Sequence, residues 1–397
     1  MIAILINKAH VPKWILPVIV LSQFCGTSLW FSSNAILQDL SIHFSLPENS
    51  LAHITSAVQF GFIVGTLVFA ILTIADRFSP SKVFVISALI AALFNLVIIW
   101  DHHTLTSILI LRFLTGFFLA GIYPIGMKIA ADYYDKGLGK SLGFLVGALV
   151  LGTAFPHLLK GFTEQLPWKT ILIITSIIAI LGGLLLFFLV PDGPYRKKSP
   201  SLDFSVIGKI FKIKKFKAAA FGYFGHMWEL YAFWAFVPFI LTTYTSIHSD
   251  SSLNIALSSF IVIAIGAVAC VMSGYISLYK GAKKTSFVSL TLSGIFCIIS
   301  PLLFMIPSQT LFMTMLSLWG MVVIADSPLF STLVAQHVNP IYKGTALTIV
   351  NCIGFAITIV SIQLILLLQL YINPIYLMFV LAIGPIFGVI SLVKIKK

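Results

Sequence analysis

Residues 171–190 read ILIITSIIAILGGLLLFFLV, and residues 191–200, directly after them, read PDGPYRKKSP. The first stretch carries no charge and matches the about 20 apolar residues a helix needs to cross a bilayer core of about 30 Å. The second stretch, with three prolines and a basic run, cannot continue that helix into lipid. The same alternation of long uncharged runs and short polar joins extends outward through the 397 residues, of which 59% are hydrophobic and only 9% charged. Mean hydropathy is +1.05. A soluble domain carries about 25% charged residues. This composition therefore excludes a soluble domain, a disordered chain, a coiled coil and a disulfide-rich secreted scaffold. A transmembrane β-barrel would show alternating segments of about ten residues. Unbroken runs such as Tyr376–Val393 predict an all-α integral membrane protein.

Twelve spans are predicted. Six lie at 13–36, 51–74, 83–100, 105–128, 140–159 and 169–190, and six at 217–243, 253–277, 285–306, 309–333, 344–369 and 375–393. The chain thus divides into an N-terminal half, 1–190, a basic linker, 191–216, and a C-terminal half, 217–397. Lys8 and Lys13 precede an apolar run reaching Ile36. That run is too long for a cleaved signal peptide and is read as the first span. With the N-terminus inside, 22 of the 25 basic residues fall on one side, and only Lys160, Lys169 and the intramembrane Arg112 do not. The net charge of +13 therefore marks cytoplasmic loops and cytoplasmic termini rather than nucleic-acid binding. The basic linker fits a solvated topology-setting loop better than a lipid-binding patch. Cys25, Cys270, Cys297 and Cys352 sit inside apolar runs without metal-ligand spacing, so neither a metal, a cofactor nor a disulfide framework is expected.

The halves repeat. The join after span 2, IADRFSPSK at 74–82, aligns with ISLYKGAKK at 276–284, and Gly116 and Pro124 of span 4 align with Gly320 and Pro328 of span 10. Such internal repeats mark secondary transporters. The first join resembles the loop signature of the major facilitator superfamily in Ala75, Asp76, Arg77 and Lys82, with Leu72 and Ser79 where glycines are usual. The second keeps Gly274, Gly281, Lys283 and Lys284 but has Leu278 and Tyr279 where Asp and Arg would stand. Arg112 with Gly116 resembles the span-4 arginine motif of the same superfamily. The stretches Ser28–Phe31, Gly121–Lys128 and Gly225–Tyr231 resemble a bacterial subgroup near the nitrate/nitrite and cyanate permease-like branch. This likeness implies two pseudo-symmetric six-helix halves, a monomer in a bacterial inner membrane, and a gate formed by the two joins. It also implies that spans 1, 4, 7 and 10 surround a central cavity. Gly152-Thr153 replaces the Gly-Pro expected in span 5 of drug–proton antiporters, which weakens a drug-export reading.

Polar residues concentrate on those four spans. Gln23, Thr27, Trp30 and Asn34 recur at helical spacing on span 1, a stripe for a wet cavity or for helix-to-helix bonding. Arg112, Gly116 and Tyr123 share a face of span 4, with Arg112 about 10 Å inside. An arginine there needs water, an anion, an ion pair or backbone carbonyls. Span 7 carries Tyr223, His226 and Glu229 at steps of three, with Trp228, Tyr231 and Trp234 nearby. Burial disfavours a charged carboxyl and a positive neighbour favours it, so Glu229 beside His226 is the first candidate proton carrier. A Glu–His packing pair is the alternative. Asp326, close to Pro328, is a second proton site, a gate partner or a helix cap. Gln59 and Asn351 complete the cavity candidates. His157 is expected near the outer end of span 5, as a wet site or a surface histidine, Asp132 and Asp135 are expected to be solvated, and spans 3, 6 and 12 to face lipid.

The expected function is alternating-access transport of a small polar or ionisable solute, proton-coupled and not an enzymatic reaction. No Walker-type loop occurs, so ATP is not the expected energy source. A membrane enzyme acting on lipid-linked substrates would need longer loops, and a non-transporting sensor is the remaining alternative.

Overall fold

A computed structural model describes residues 11–47, 49–134, 138–162, 167–196 and 202–393. Among them are helices and turns but no strands. The N-terminal half comprises α1 (Ile15–Thr27), α2 (Leu37–Phe44), α3 (Ser50–Ile71), α4 (Ile74–Arg77), α5 (Pro80–Val97), α6 (Leu105–Leu119), α7 (Tyr123–Tyr133), α8 (Leu138–Phe162) and α9 (Lys169–Leu189). After the short α10 (Ile207–Lys212) come α11 (Lys214–Ile247), α12 (Ile255–Lys280), α13 (Ala282–Leu303), α14 (Gln309–Val322), α15 (Ser327–Gln336) and α16 (Lys343–Leu368). A 3-10 stretch (Pro374–Ala382) then leads into α17 (Ile383–Val393). Eleven of the described helical segments are long and apolar enough to cross a membrane, and α1 is a shorter apolar helix. Lys8, Asp135, Lys136, Lys197, Lys198, Lys394, Lys396 and Lys397 lie outside the described residues.

Three predicted spans are broken, each for a chemical reason. The first stops at Thr27 instead of reaching Ile36. Thr27 Oγ1 donates to Gln23 O at 2.8 Å and Ser28 Oγ to Cys25 O at 2.7 Å. Such back-bonding by hydroxyls competes with the helix ladder, and residues 28–36 run in turns. The expected continuous stripe from Gln23 to Asn34 is therefore not one helix face. Span 4 breaks between α6 and α7, where Pro124 stands in the first turn of α7. Span 10 breaks between α14 and α15 at Pro328. In both, proline has no N–H and its ring clashes with the carbonyl four residues back.

The duplication is visible atom by atom. A Cβ added at Gly116 would fall 2.0 Å from Val58 O, and one added at Gly320 would fall 2.1 Å from Val262 O. The two contacts are related by a shift of 204 residues, as are the first residues of α7 and α15, Tyr123 and Ser327. Lipid offers no hydrophobic drive for helix association, so such small-residue contacts supply the packing. The halves meet where α8 packs on α12 and α3 on α16. Gly147 approaches Ala267 across the first seam, and Cys352 Sγ lies 3.9 Å from Ile63 O across the second. On the face opposite the termini, Gln363 Nε2 donates to Ala52 O at 3.2 Å and Ser56 Oγ at 2.8 Å, tying α16 to α3.

Spans 3 and 6 do not face lipid alone. Asn95 on α5 and Thr175 and Ser176 on α9 are buried and bonded to one another. Asp132 is buried as well, at 7% exposure, contrary to a solvated placement. The linker folds back over it: Tyr195 N–H donates to Asp132 O at 3.0 Å and Tyr133 Oη to Pro191 O at 2.5 Å.

Candidate functional site

The broken first span brings its carbonyls to Arg112. The guanidinium, fully buried, donates through Nη2 to Leu29 O at 3.1 Å and Trp30 O at 2.5 Å, and through Nη1 to Ser32 Oγ and Asn95 Oδ1, both at 3.2 Å. Ser32 Oγ in turn donates to Asn95 Oδ1 at 2.6 Å. Unwound backbone at membrane depth survives only where protein satisfies it, and here α6 supplies the donors. Arg112 has no carboxylate partner among the described residues. Of the alternatives open for it, backbone carbonyls are the ones it meets.

The C-terminal half carries the counterpart. Glu229 Oε1 accepts from Ser293 Oγ at 2.5 Å, Trp319 Nε1 at 2.8 Å and Cys297 Sγ at 3.2 Å. Each half thus holds a buried ionisable side chain among three of its own spans, Arg112 among spans 1, 3 and 4 and Glu229 among spans 7, 9 and 10. The expected sharing between His226 and Glu229 is replaced by a different pair. His226 Nδ1 lies 2.9 Å from Asp326 Oδ1, both residues 1% exposed. Three steps along one helix bring side chains close, yet which neighbouring helix each faces is set by tertiary packing. The contact is an ion pair only when the imidazole is protonated. Both Asp326 oxygens and His226 Nε2 lack hydrogen-bond partners in the protein. Asp326 precedes α15 without capping it, so the cap alternative is not what forms.

Between these clusters the halves meet through aromatic rings. Trp30, on the unwound segment, lies 4.9 Å from Phe62 of α3, 5.7 Å from Tyr231 of α11 and 5.9 Å from Phe355 of α16. Trp234 packs edge-on to both Tyr231 and Phe31. Tyr123 reaches Phe62 from α7, and Tyr223 lies beside His226. The predicted central cavity is thus filled by rings in this conformation. The described residues also include buried polar atoms with no partner in the protein: both amide atoms of Gln23 and of Gln59, the indole N–H of Trp30 and Trp234, Thr153 Oγ1 and His157 Nε2. His157 is 2% exposed rather than at the surface. Asn34 is engaged by Thr55 at 2.7 Å, Thr27 by its own helix, and Asn351 is half-buried on α16.

The join residues form a separate network at the face bearing the termini. Asp76 pairs with Lys128 at 2.9 Å, within the N-terminal half. Arg77 donates to Thr73 Oγ1, and Arg196 of the linker reaches Asp76 O and Phe78 O while pairing with Asp192. Lys82 is exposed on α5 and Gly274 buried on α12. Gly281 has φ +80°, which a side chain would strain, and places Lys283 and Lys284 at the start of α13. Sequence reasoning missed Asn95, Ser293, Trp319, Phe62 and Phe355. The lone amide of span 3 was the available signal for Asn95.

Two related six-helix halves, each with a broken helix and a buried ionisable side chain, define a multi-pass membrane protein of the secondary-transporter build. Residues 19–362 match the model of the Major Facilitator Superfamily, and the chain belongs to that superfamily. An uncharacterised transporter of Escherichia coli K12, YgaY, is 25% identical over 206 residues, 50% of each chain. A bicyclomycin resistance protein homolog of Haemophilus influenzae is 22% identical over 178 residues, 44% of this chain and 43% of its own. The matches thus span about half the length of these curated relatives. The crystal structure of the human organic anion transporter MFSD10 (TETRAN) superposes with a TM-score of 0.70 at 14% identity, covering 96% of this chain and all of that one, a likeness of fold.

Proposed function

We propose that the chain is a secondary transporter that moves a small solute by alternating access, with proton coupling at the His226–Asp326 pair. The observation that carries the coupling is the pairing itself. An acid and an imidazole meet, desolvated, at the break of span 10, with Asp326 Oδ2 and His226 Nε2 left for a proton, water or solute. Glu229 is less suited to exchange a proton, because three donors already converge on its Oε1. The unpartnered amides of Gln23 and Gln59 and indoles of Trp30 and Trp234 support a solute recognised by hydrogen bonds and ring stacking rather than by Arg112 or Glu229, which are engaged elsewhere. A likeness to the nitrate/nitrite branch would favour an inorganic anion, and the name of MFSD10 an organic one. The engaged guanidinium supports neither over a neutral polar solute.

The test is solute flux in proteoliposomes under an imposed pH gradient, with candidates drawn from a thermal-shift screen. Asp326→Asn should abolish accumulation while keeping solute exchange, and Glu229→Gln should keep accumulation. Accumulation by Asp326→Asn at the wild-type rate overturns the coupling assignment. The basic asymmetry supports cytoplasmic termini. A green fluorescent protein fused after Lys397 should be bright, and a dark fusion with an active alkaline phosphatase one in its place would reverse the orientation.

A further inference from the structure

A groove of ≈ 300 Å³ runs between α12, α13 and the end of α14, on the side of α12 away from α8. Its walls are apolar along Ala269, Met272, Ile276, Val288 and Met321, and its charged lining residues are Lys280 and Lys284. Met272, Ile276 and Val288 are about half exposed, at 50%, 45% and 47%, so the groove opens sideways. From Ala269 to Lys280 the helix rises about 16 Å, roughly half of a bilayer core of about 30 Å. The groove therefore has the depth of a single leaflet, with both lysines at the headgroup end. The glycine turn at 281 lets α12 and α13 present the two ammonium groups from adjacent helices. Neither lysine is paired with a carboxylate among the described residues.

We infer that this groove is a binding site for one anionic phospholipid of the leaflet on the termini face, its acyl chain against Met272 and Val288 and its phosphate between Lys280 and Lys284. Inside a membrane an apolar groove that opens sideways fills with an acyl chain, and two unpaired cations at its mouth select a headgroup of net negative charge. A lipid seated here touches Ala325, the neighbour of Asp326 at the break of span 10. The inference stands on this surface alone and does not depend on the transport reading.

Native mass spectrometry of the full chain, released from detergent with equal amounts of phosphatidylglycerol and phosphatidylcholine, tests it. The wild type should retain one phosphatidylglycerol in preference. Lys280→Gln with Lys284→Gln should weaken that binding roughly thirtyfold, roughly fivefold for each lysine. Met272→Trp, which fills the groove and keeps both lysines, should also lose the lipid. Equal retention of the two lipids by the wild type overturns the inference, as does wild-type affinity for phosphatidylglycerol in either variant.

Discussion

Replacing Gly116 with alanine tests the packing on which the duplicated halves rest. The new Cβ would stand 2.0 Å from Val58 O and 2.8 Å from its carbonyl carbon. Ordinary contact begins near 3.4 Å, and the obstacle is backbone, which cannot swing aside. The helices α3 and α6 must part by roughly 1 Å, and a gap of that size forfeits about a quarter to a half of each atom-pair attraction along the seam. Overpacking of this kind costs about 1–3 kcal/mol. In water alanine would regain about 1 kcal/mol of helix propensity, but in a membrane the separated helices stay helical, so that gain largely cancels. The expected loss is therefore about 1–3 kcal/mol, and the same for Gly320→Ala against Val262. Intrinsic tryptophan fluorescence of detergent-solubilised protein during heating should show a midpoint several degrees lower for each variant. The double variant should show about the sum of the two losses, since the sites are distant. Gly208→Ala, whose Cβ would meet nothing within 4 Å, should not lower the midpoint. An unchanged or raised midpoint for Gly116→Ala or Gly320→Ala would refute the close approach and the repeat drawn from it.

Three further outcomes are expected. Gln363→Ala removes the bridge to Ala52 and Ser56, so hydrogen–deuterium exchange should rise in the first turn of α3 and the last of α16; no change would mean that the bridge does not tie the two helices. Asp76→Asn breaks the pair with Lys128 and should raise exchange in α4 and in the linker strip that Arg196 pins to it, whereas unaltered exchange there would leave the pair without a holding role. Lys169, first by its hydrogen bond and then by its charge, holds the Asp101 carboxyl below the usual carboxylate range. A lowered value stabilises the fold above the unfolded value of about 3.9 and loses that contribution as pH falls through the folded one. Acidifying past about pH 4 should thus lower the wild-type melting midpoint more than that of Asp101→Asn, and high salt should erase the difference. Parallel curves for the two proteins would refute it.

The periodic and compositional signals carried most of the fold. Span number, the shift of 204 residues between Gly116 and Gly320, and a kink at Pro328 follow from local chemistry, whereas span 4 reads as continuous although Pro124 carries the same signal. The break in span 1 does not follow from local chemistry. Gln23, Thr27, Trp30 and Asn34 keep helical spacing, and the unwinding after Thr27 is tolerated only because Arg112, distant in sequence, takes the freed carbonyls. The partner of His226 was hidden for a related reason. Spacing along α11 shows which side chains are neighbours on that helix, not that Asp326 will be brought against one of them. Asn95 was masked by the hydrocarbon around it. The ring cluster draws one or two aromatics from each of five segments, and no one segment displays it.

Three of the four native thiols, Cys270, Cys297 and Cys352, are buried, and Cys25 is half-buried on a helix surrounded by other spans. Water-soluble maleimides should find little to modify in the folded chain. The unaltered protein can then serve as its own blank for reporters placed one at a time along α3, α11 or α16. The same four sulfurs become visible together once the helices separate, which makes the chain a built-in gauge of its own disassembly in detergent.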